Sequence, residues 1–426
     1  MNLVGRLARL VPMGIYILIL LAFTIASVQH ISTAVTNNEL LSQYKGDHLE
    51  FADFLLYYMF GQIASGPDAP RLYDHATQLA YFNKLIFPAS IDKPFYAVYS
   101  PFVAVMMIPL SHLPPYQAYF VWLVAILLLG AVSLFMLLRV FKLESRFALI
   151  LIACLGSFPA MLSVRMGQTG WTLLALTSLF FWAFMKGRDW LSGLALALLA
   201  FKPHYALVFG VAALTARRWK LIAFAALFEA LLYGAAVPVL GLDAIVGYPN
   251  AILHGDSVRD SHGFSADRMV SVRVIASLFL GDKEALQLSL AVMVLGLLLT
   301  AWIWSRRGDS RICLAWKIVA TVFVCMVASP HTHSYDLLML AVASVAFVGV
   351  GGLKEAAKLS NTAKVLLCAY PILSWLFMLG LLLNVSLPFV LYFLLDLAIF
   401  VLAAVVLVKL EGSSATDQQS VAAASD

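Results

Sequence analysis

Several short stretches of this sequence hold residues able to do chemistry. In 50–62, Asp53 and Tyr57 stand four apart, so a helix there puts them on one face. The carboxylate has two readings: a helix-start residue favoured by the helix dipole, or a general base. Tyr99-Ser100-Pro101 precedes a short apolar run. In 163–171, Arg165 is the single basic residue, and Gln168 lies between Gly167 and Gly170. An Arg fork grips a phosphate through two bonds, and a Gln amide pairs with a sugar hydroxyl; the plainer reading gives Arg165 to lipid phosphates. Lys202-Pro203-His204 breaks a hydrophobic stretch early. A lysine at that depth calls for an anion or carboxylate partner, whereas snorkelling to the headgroups explains only a lysine at a helix end. In 329–336, His331 and His333 sit two apart with Tyr335 beside them. Such a pair suits zinc, but no third ligand stands at a recognisable spacing and no H-E-x-x-H occurs. Imidazoles with lysine and arginine point instead to anion binding, with no metal ligated and no cofactor.

The elements that position these residues follow from composition. The chain has 426 residues, of which 62% are hydrophobic and 12% charged, and its mean hydropathy is +0.91. Soluble domains run at roughly 45–50% apolar and about 25% charged. This balance excludes a soluble enzyme, a disordered chain and a nucleic-acid binder, and it makes the protein an all-α polytopic membrane protein. Apolar runs at 11–29, 116–138, 147–163, 170–185, 190–201, 204–216, 220–240, 285–304, 313–328, 335–352, 364–383 and 387–408 predict twelve transmembrane helices. The run 97–111, with Pro101 and Pro109, is read as lying flat on the outer surface. Then the loops carrying Arg139, Lys142 and Arg146, Lys186 and Arg188, Arg217 and Arg218, Arg306 and Arg307, and Lys354 and Lys358 all face the cytoplasm with both termini. Cys154, Cys313, Cys325 and Cys368 lie in apolar runs with no C-x-x-C pair and read as filler.

Two long loops, about 30–115 and 241–284, then face outward from a single membrane domain, 1–410, followed by a polar cytoplasmic tail, 411–426. The first loop predicts short helices at 50–62 (amphipathic), 73–86 and 97–111 (interfacial), together roofing a cavity. In it Asp68, Asp74 and Asp92 read as turn or solvated residues beside Asp53. The charges of the second loop, among them Asp243, Asp256, Arg259, Asp260 and Arg273, read mostly as those of a solvated, glycine-punctuated loop. A carboxylate with Arg, Lys and paired His on one membrane face suggests a base that activates a hydroxyl beside a phosphate leaving group. Soluble nucleotides are absent outside the cytoplasm, so the phosphate-bearing donor is expected to be lipid-linked.

Asp53-Phe54 with Tyr57, Tyr99-Ser100-Pro101, Gly167-Gln168 and Lys202-Pro203, in that order, resemble the GT-C membrane glycosyltransferases, most closely the polyprenyl-phosphate-mannose-dependent mannosyltransferases of glycosyltransferase family 87. One departure is Ser100, where the family pattern leads one to expect Tyr-Pro-Pro. The resemblance implies a metal-independent, inverting transfer of a hexose, mannose above others, from a polyprenyl-phosphate donor to a lipid-linked glycan acceptor at a bacterial cytoplasmic membrane. It maps the catalytic base onto Asp53. Arg165, Lys202, His331 and His333 are then expected at the donor phosphate, and Tyr57, Tyr99, Gln168, His204 and Tyr335 at substrate. The rival is a transporter or flippase of a lipid-linked or anionic substrate. Two features oppose it: no pair of broken helices recurs in matching halves, and the charges gather at one face.

Overall fold

The computed structural model describes residues 52–92, 97–255, 269–306 and 310–350, with isolated positions elsewhere. Most of the expected span 11–29, all of 364–383, most of 387–408, the tail 411–426 and positions 256–268 of the second outer loop lie outside the described residues. Those described are helical, apart from turns and one isolated bridge between Met269 and His333. The helices are α1 (Ala52–Ala64), α2 (His75–Ile86), α3 (Pro101–Ser111), α4 (Pro115–Val140), α5 (Phe147–Leu155), α6 (Phe158–Met166), α7 (Gly170–Met185), α8 (Asp189–Leu199), α9 (Pro203–Thr215), α10 (Trp219–Gly255), α11 (Val272–Phe279), α12 (Asp282–Ser305), α13 (Arg311–Ala328) and α14 (Leu340–Gly349). A 3₁₀ segment, Ser334–Met339, precedes α14.

Four of these, α4, α10, α12 and α13, are long and apolar enough to cross a membrane, and α5 with α6 makes a fifth if the pair, bent by 62°, is one span. The other expected spans that fall on described residues are shorter apolar helices: α7, α8, α9 and the stretch Ser334–Gly349. The protein is thus an all-helical membrane protein.

The chain divides into two compact units. Unit 1 comprises Met1–Ala131, Arg146–Thr172 and Glu229–Phe264; unit 2 comprises Val132–Ser145, Leu173–Phe228 and Ser265–Asp426.

In unit 1, α1 packs lengthwise on α3. Gly61 allows this, since a Cβ there would stand 2.6 Å from the Met107 carbonyl oxygen. Residues Phe54 to Phe60 of α1 are all buried. The helix expected to be amphipathic is therefore covered around most of its circumference, because α3 and its neighbours take the faces that lipid or water would have met. α2 begins at Asp74, whose Oδ2 accepts from the Thr77 amide at 3.0 Å and the Thr77 hydroxyl at 2.7 Å. These Thr77 bonds, and then the Arg71 charge, hold the Asp74 carboxyl below the usual carboxylate range. Asp74, read from the sequence as a solvated residue, is a helix cap that stays partly exposed. Gln78 ties the next loop down: its amide nitrogen donates to the Leu72 and Ala97 carbonyls at 2.9 and 3.1 Å, and its oxygen accepts from the Ala97 amide at 3.1 Å.

In unit 2, α13 is the central helix, buried along almost its whole length. Without a hydrophobic drive between helices in lipid, close contact of small residues and interhelical hydrogen bonds hold such a bundle. Gly296 of α12 faces Ala328 of α13, and Trp304 Nε1 donates to Thr321 Oγ1 at 2.8 Å. At the end of unit 2 assigned to the cytoplasm, Arg218 pairs with Asp189.

Candidate functional site

Unit 1 gathers the first group of expected residues. Asp53 lies in the first turn of α1, partly exposed, with Tyr57 one turn on and 1% exposed. The Tyr57 ring stacks on Tyr99 with centroids 4.2 Å apart and on Trp122 at 6.0 Å. Its hydroxyl donates to Gln168 Oε1 at 3.4 Å. Tyr99 in turn lies within electrostatic reach of Asp53; burial first, then Tyr57 and the Asp53 charge, hold its hydroxyl protonated well above the usual phenol range. Four residues from three separate stretches of sequence thus converge.

Local chemistry explains why Gln168 arrives there. Ser157 caps α6, accepting from the Ala160 amide at 3.4 Å, and Pro159 fills a first-turn position whose amide needs no partner. The helix ends at Gly167, φ 69°, in the left-handed region. The Gln168 amide then bonds back to the Ser163 carbonyl at 2.8 Å, and the Ser163 hydroxyl donates to the Gln168 carbonyl at 2.8 Å. A Cβ on Gly167 would run into Phe54, so the bare backbone of Gly167 lies directly on Phe54. Arg165, one turn back, is exposed on the same helix. Tyr119 donates to the Val164 carbonyl at 2.5 Å and fixes the end of α6.

Unit 2 gathers the second group. Lys202 sits at the junction of α8 and α9, with Pro203 in the first turn of α9. Its Nζ is 2.5 Å from Asp336 Oδ1, with Asp336 wholly buried and the lysine side chain 14% exposed. The carboxylate partner required of a lysine at this depth is therefore Asp336. Asp336 Oδ2 also accepts from the Tyr205 hydroxyl at 3.0 Å and the His333 amide at 3.1 Å. The Tyr205 and Thr332 hydroxyl oxygens also lie 3.1 Å apart. The His331 and His333 rings meet edge to face with centroids at 5.0 Å, and His333 stacks on Tyr335 at 5.3 Å. The lysine ammonium lies 5.0 Å from the Tyr335 ring centre. His204 packs edge-on against Tyr205, and its Nε2 is buried with no hydrogen-bond partner among the described residues.

Burial pushes His333 down to about 4, with the Lys202 and Arg273 charges adding to the shift and Asp336 opposing it. His331 is held well below the usual imidazole range by burial, then by the neighbouring histidines and the same two cations. At neutral pH both rings are therefore uncharged and can offer an N–H without adding charge. Among the described residues, no three of His, Cys, Asp and Glu are placed to hold a metal ion.

Sequence reasoning missed two members of this group. Asp336 was within the 329–336 turn but had no assigned role. Arg273 was read with a solvated loop, yet it is 1% exposed on α11. The Val270 amide bonds to the Thr332 carbonyl at 2.9 Å, and Met269 bridges to His333, which carries α11 to the histidine turn. The signal was present: Arg273 is flanked by Val272, Val274 and Ile275, unlike an arginine of a polar loop.

No curated protein and no solved structure matches the chain. Residues 97–330 match glycosyltransferase family 87. That stretch includes α3 to α13, with Tyr99, Gln168, Lys202 and Arg273, and it leaves Asp53 before it. The match covers more than half of a chain rich in apolar helices, and on it the protein belongs to glycosyltransferase family 87.

Proposed function

We propose that this glycosyltransferase has the GT-C architecture with twelve spans and transfers a hexose, mannose foremost, from a polyprenyl phosphate to a hydroxyl of a lipid-linked glycan. The reaction occurs on the outer face of a bacterial cytoplasmic membrane, with both termini inside and no metal required. In unit 1, Asp53 takes the proton of the acceptor hydroxyl while the oxygen attacks the sugar C1 from the face opposite the phosphate. The C1–O bond to the phosphate breaks, polyprenyl phosphate leaves with the electron pair, and the configuration inverts. Tyr57, Tyr99 and Gln168 orient the sugar through ring faces and hydrogen bonds. Arg165 meets donor phosphate from unit 1. In unit 2, Lys202 supplies positive charge, and His331 and His333 supply neutral N–H donors, with His204 and Tyr335 contacting substrate. Fixed donors of this kind stabilise a developing anion without reorganising.

The observation that best supports this reading is the stack of Tyr57 on Tyr99, closed by Gln168, one helical turn from Asp53. Stacked rings and an amide beside a carboxylate suit a sugar hydroxyl and its base. The test is Asp53→Asn, which keeps size and removes the proton acceptor. Turnover with polyprenyl-phosphate mannose and host lipid extract should fall about 10²–10⁴-fold, the usual contribution of a general base. Donor affinity should hold. Turnover within about threefold of wild type, far too little for a lost base, would remove Asp53 from that role.

A further inference from the structure

Unit 1 contains a second polar group that the reaction above does not use. Glu229 lies on α10, about 15 Å from Trp219 at 1.5 Å per residue, roughly half-way through a bilayer of about 30 Å. A carboxylate at that depth is costly and marks function more often than packing. Its Oε2 is buried and has no hydrogen-bond partner among the described residues. Tyr233 is one turn on, packed edge-on against Phe102 with centroids at 6.1 Å. Gly241, φ 79° and ψ 162°, breaks α10 and lets its second half bring Tyr248 to the start of α3. There the Tyr248 hydroxyl is 2.9 Å from Ser100 Oγ, which is fully buried. The Tyr233 hydroxyl also lies near Ser100, and both tyrosines lie within electrostatic reach of Glu229.

This group is continuous with the expected catalytic one. Tyr73 stacks on Tyr248 at 5.6 Å and donates its hydroxyl to the Tyr99 carbonyl at 2.6 Å. Tyr99 stacks in turn on Tyr57. An aromatic file thus runs from beside Asp53 to Glu229, with hydroxyls spaced along it. A phosphate would be repelled by the carboxylate, and a hydrocarbon chain offers it no donor. An ammonium would satisfy Glu229 but gives nothing to the hydroxyl donors of Ser100, Tyr233 and Tyr248. A sugar ring both donates and accepts, and its C–H face suits the aromatic rings.

We infer that Glu229, Ser100, Tyr233 and Tyr248 form a hydroxyl-binding subsite that holds a sugar of the acceptor remote from the one that reacts. The inference rests on the reading of the acceptor as a glycan. The acceptor is then an oligosaccharide-bearing lipid rather than a single sugar.

The test is calorimetric binding of an alkyl mannobioside and an alkyl mannoside to the full chain in lipid nanodiscs. Wild type should bind the disaccharide more tightly. Glu229→Leu should weaken disaccharide binding about 10- to 150-fold, the loss of one charged hydrogen bond, and leave the monosaccharide unchanged. Glu229→Gln, which keeps an acceptor oxygen, should fall between. Leucine is well tolerated in a span, and Ser100→Ala provides a second, smaller change expected to act in the same direction. Wild type that does not distinguish the two ligands, or Glu229→Leu that binds both as wild type does, overturns the subsite. Mannobioside binding as described with no transfer from polyprenyl-phosphate mannose removes the proposed function and leaves the subsite standing. Transfer with binding indifferent to Glu229 does the reverse.

Discussion

Replacing Lys202 by Met should first damage the fold of unit 2, because the lysine is half of a buried pair. Asp336 has no exposed surface and takes three donors: Lys202 Nζ at 2.5 Å, the Tyr205 hydroxyl at 3.0 Å and the His333 amide at 3.1 Å. Removing the ammonium leaves a carboxylate in the interior with only neutral donors. Breaking a buried pair from one side costs about 3–5 kcal/mol. Asp336→Leu should cost a similar amount, since it strands the ammonium and leaves the Tyr205 hydroxyl and the His333 amide without that acceptor. The double variant Lys202→Met/Asp336→Leu removes both charges. Replacing a whole pair by apolar groups is often neutral or favourable, offset here by about 1–3 kcal/mol for each donor left unpaired. The two single losses should therefore not add, and the coupling should exceed about 2 kcal/mol, above the roughly 0.2–1 kcal/mol of exposed pairs. The assay is SDS unfolding in mixed micelles, followed by tryptophan fluorescence, on the wild type and all three variants. Coupling below about 1 kcal/mol, the value of an exposed pair, would refute the argument that this pair organises the histidine turn. Donor KM measured on the double variant then tests the proposed contact of the lysine with phosphate apart from its part in folding.

Three further outcomes are expected. Arg165 is exposed, so Arg165→Ala should change stability by no more than about 0.5 kcal/mol while donor KM rises about 10- to 150-fold, as for a lost charged hydrogen bond; unchanged kinetics would take Arg165 out of the phosphate site. Gly167→Ala should lower both the melting temperature and turnover, because left-handed backbone costs a side chain about 1–2 kcal/mol and the new Cβ meets Phe54; Gly167→Asn, which tolerates the backbone but not the contact, should be no better. The His333 imidazole titrates at about 4 in the fold and near 6.5 when unfolded, so the unfolded chain binds the extra proton first. The His333 share of stability should be complete above about pH 6.5, fall by about 1.4 kcal/mol per unit at most as pH drops towards 4, and level off below that, with His331, also held low, adding its own slope to the total. His333→Gln should flatten this slope in melting curves taken across that range, and an unaltered slope would show that His333 is not the group responsible.

The gathering of Asp53, Tyr57 and Gln168 in unit 1 was legible because its signals are local. Asp53 and Tyr57 are one turn apart, and a glycine before Gln168 announces a turn that carries the amide out of α6. The depth of Lys202 was legible too, since eleven residues of α8 cannot lift a lysine clear of the bilayer, and depth alone demanded a counter-charge. Which carboxylate answers it was not legible. Asp336 is 134 positions away, and nothing local distinguishes it from other acidic residues near a helix start. Arg273 was hidden for a different reason. Polar residues surround it on the N-terminal side, and they outweighed its valine neighbours in a loop-scale reading. The covered faces of α1 were also beyond the sequence, because only the approach of α3 at Gly61 shows what lies against them.

Ser100 has a local role where α3 meets α10. A proline there would have no side-chain donor and no amide hydrogen. The Tyr248 hydroxyl, 6% exposed as a residue and brought to the start of α3 by the break at Gly241, would then lose its partner at 2.9 Å. An unpaired buried hydroxyl costs about 1–3 kcal/mol. Serine therefore belongs with Tyr248 and Tyr233 as a set: a variant carrying Ser100→Pro should tolerate Tyr248→Phe, which removes the stranded hydroxyl, better than the wild type does. Ser100 joins α3 to the second half of α10, and it stands where the aromatic file from Tyr57 turns towards Glu229.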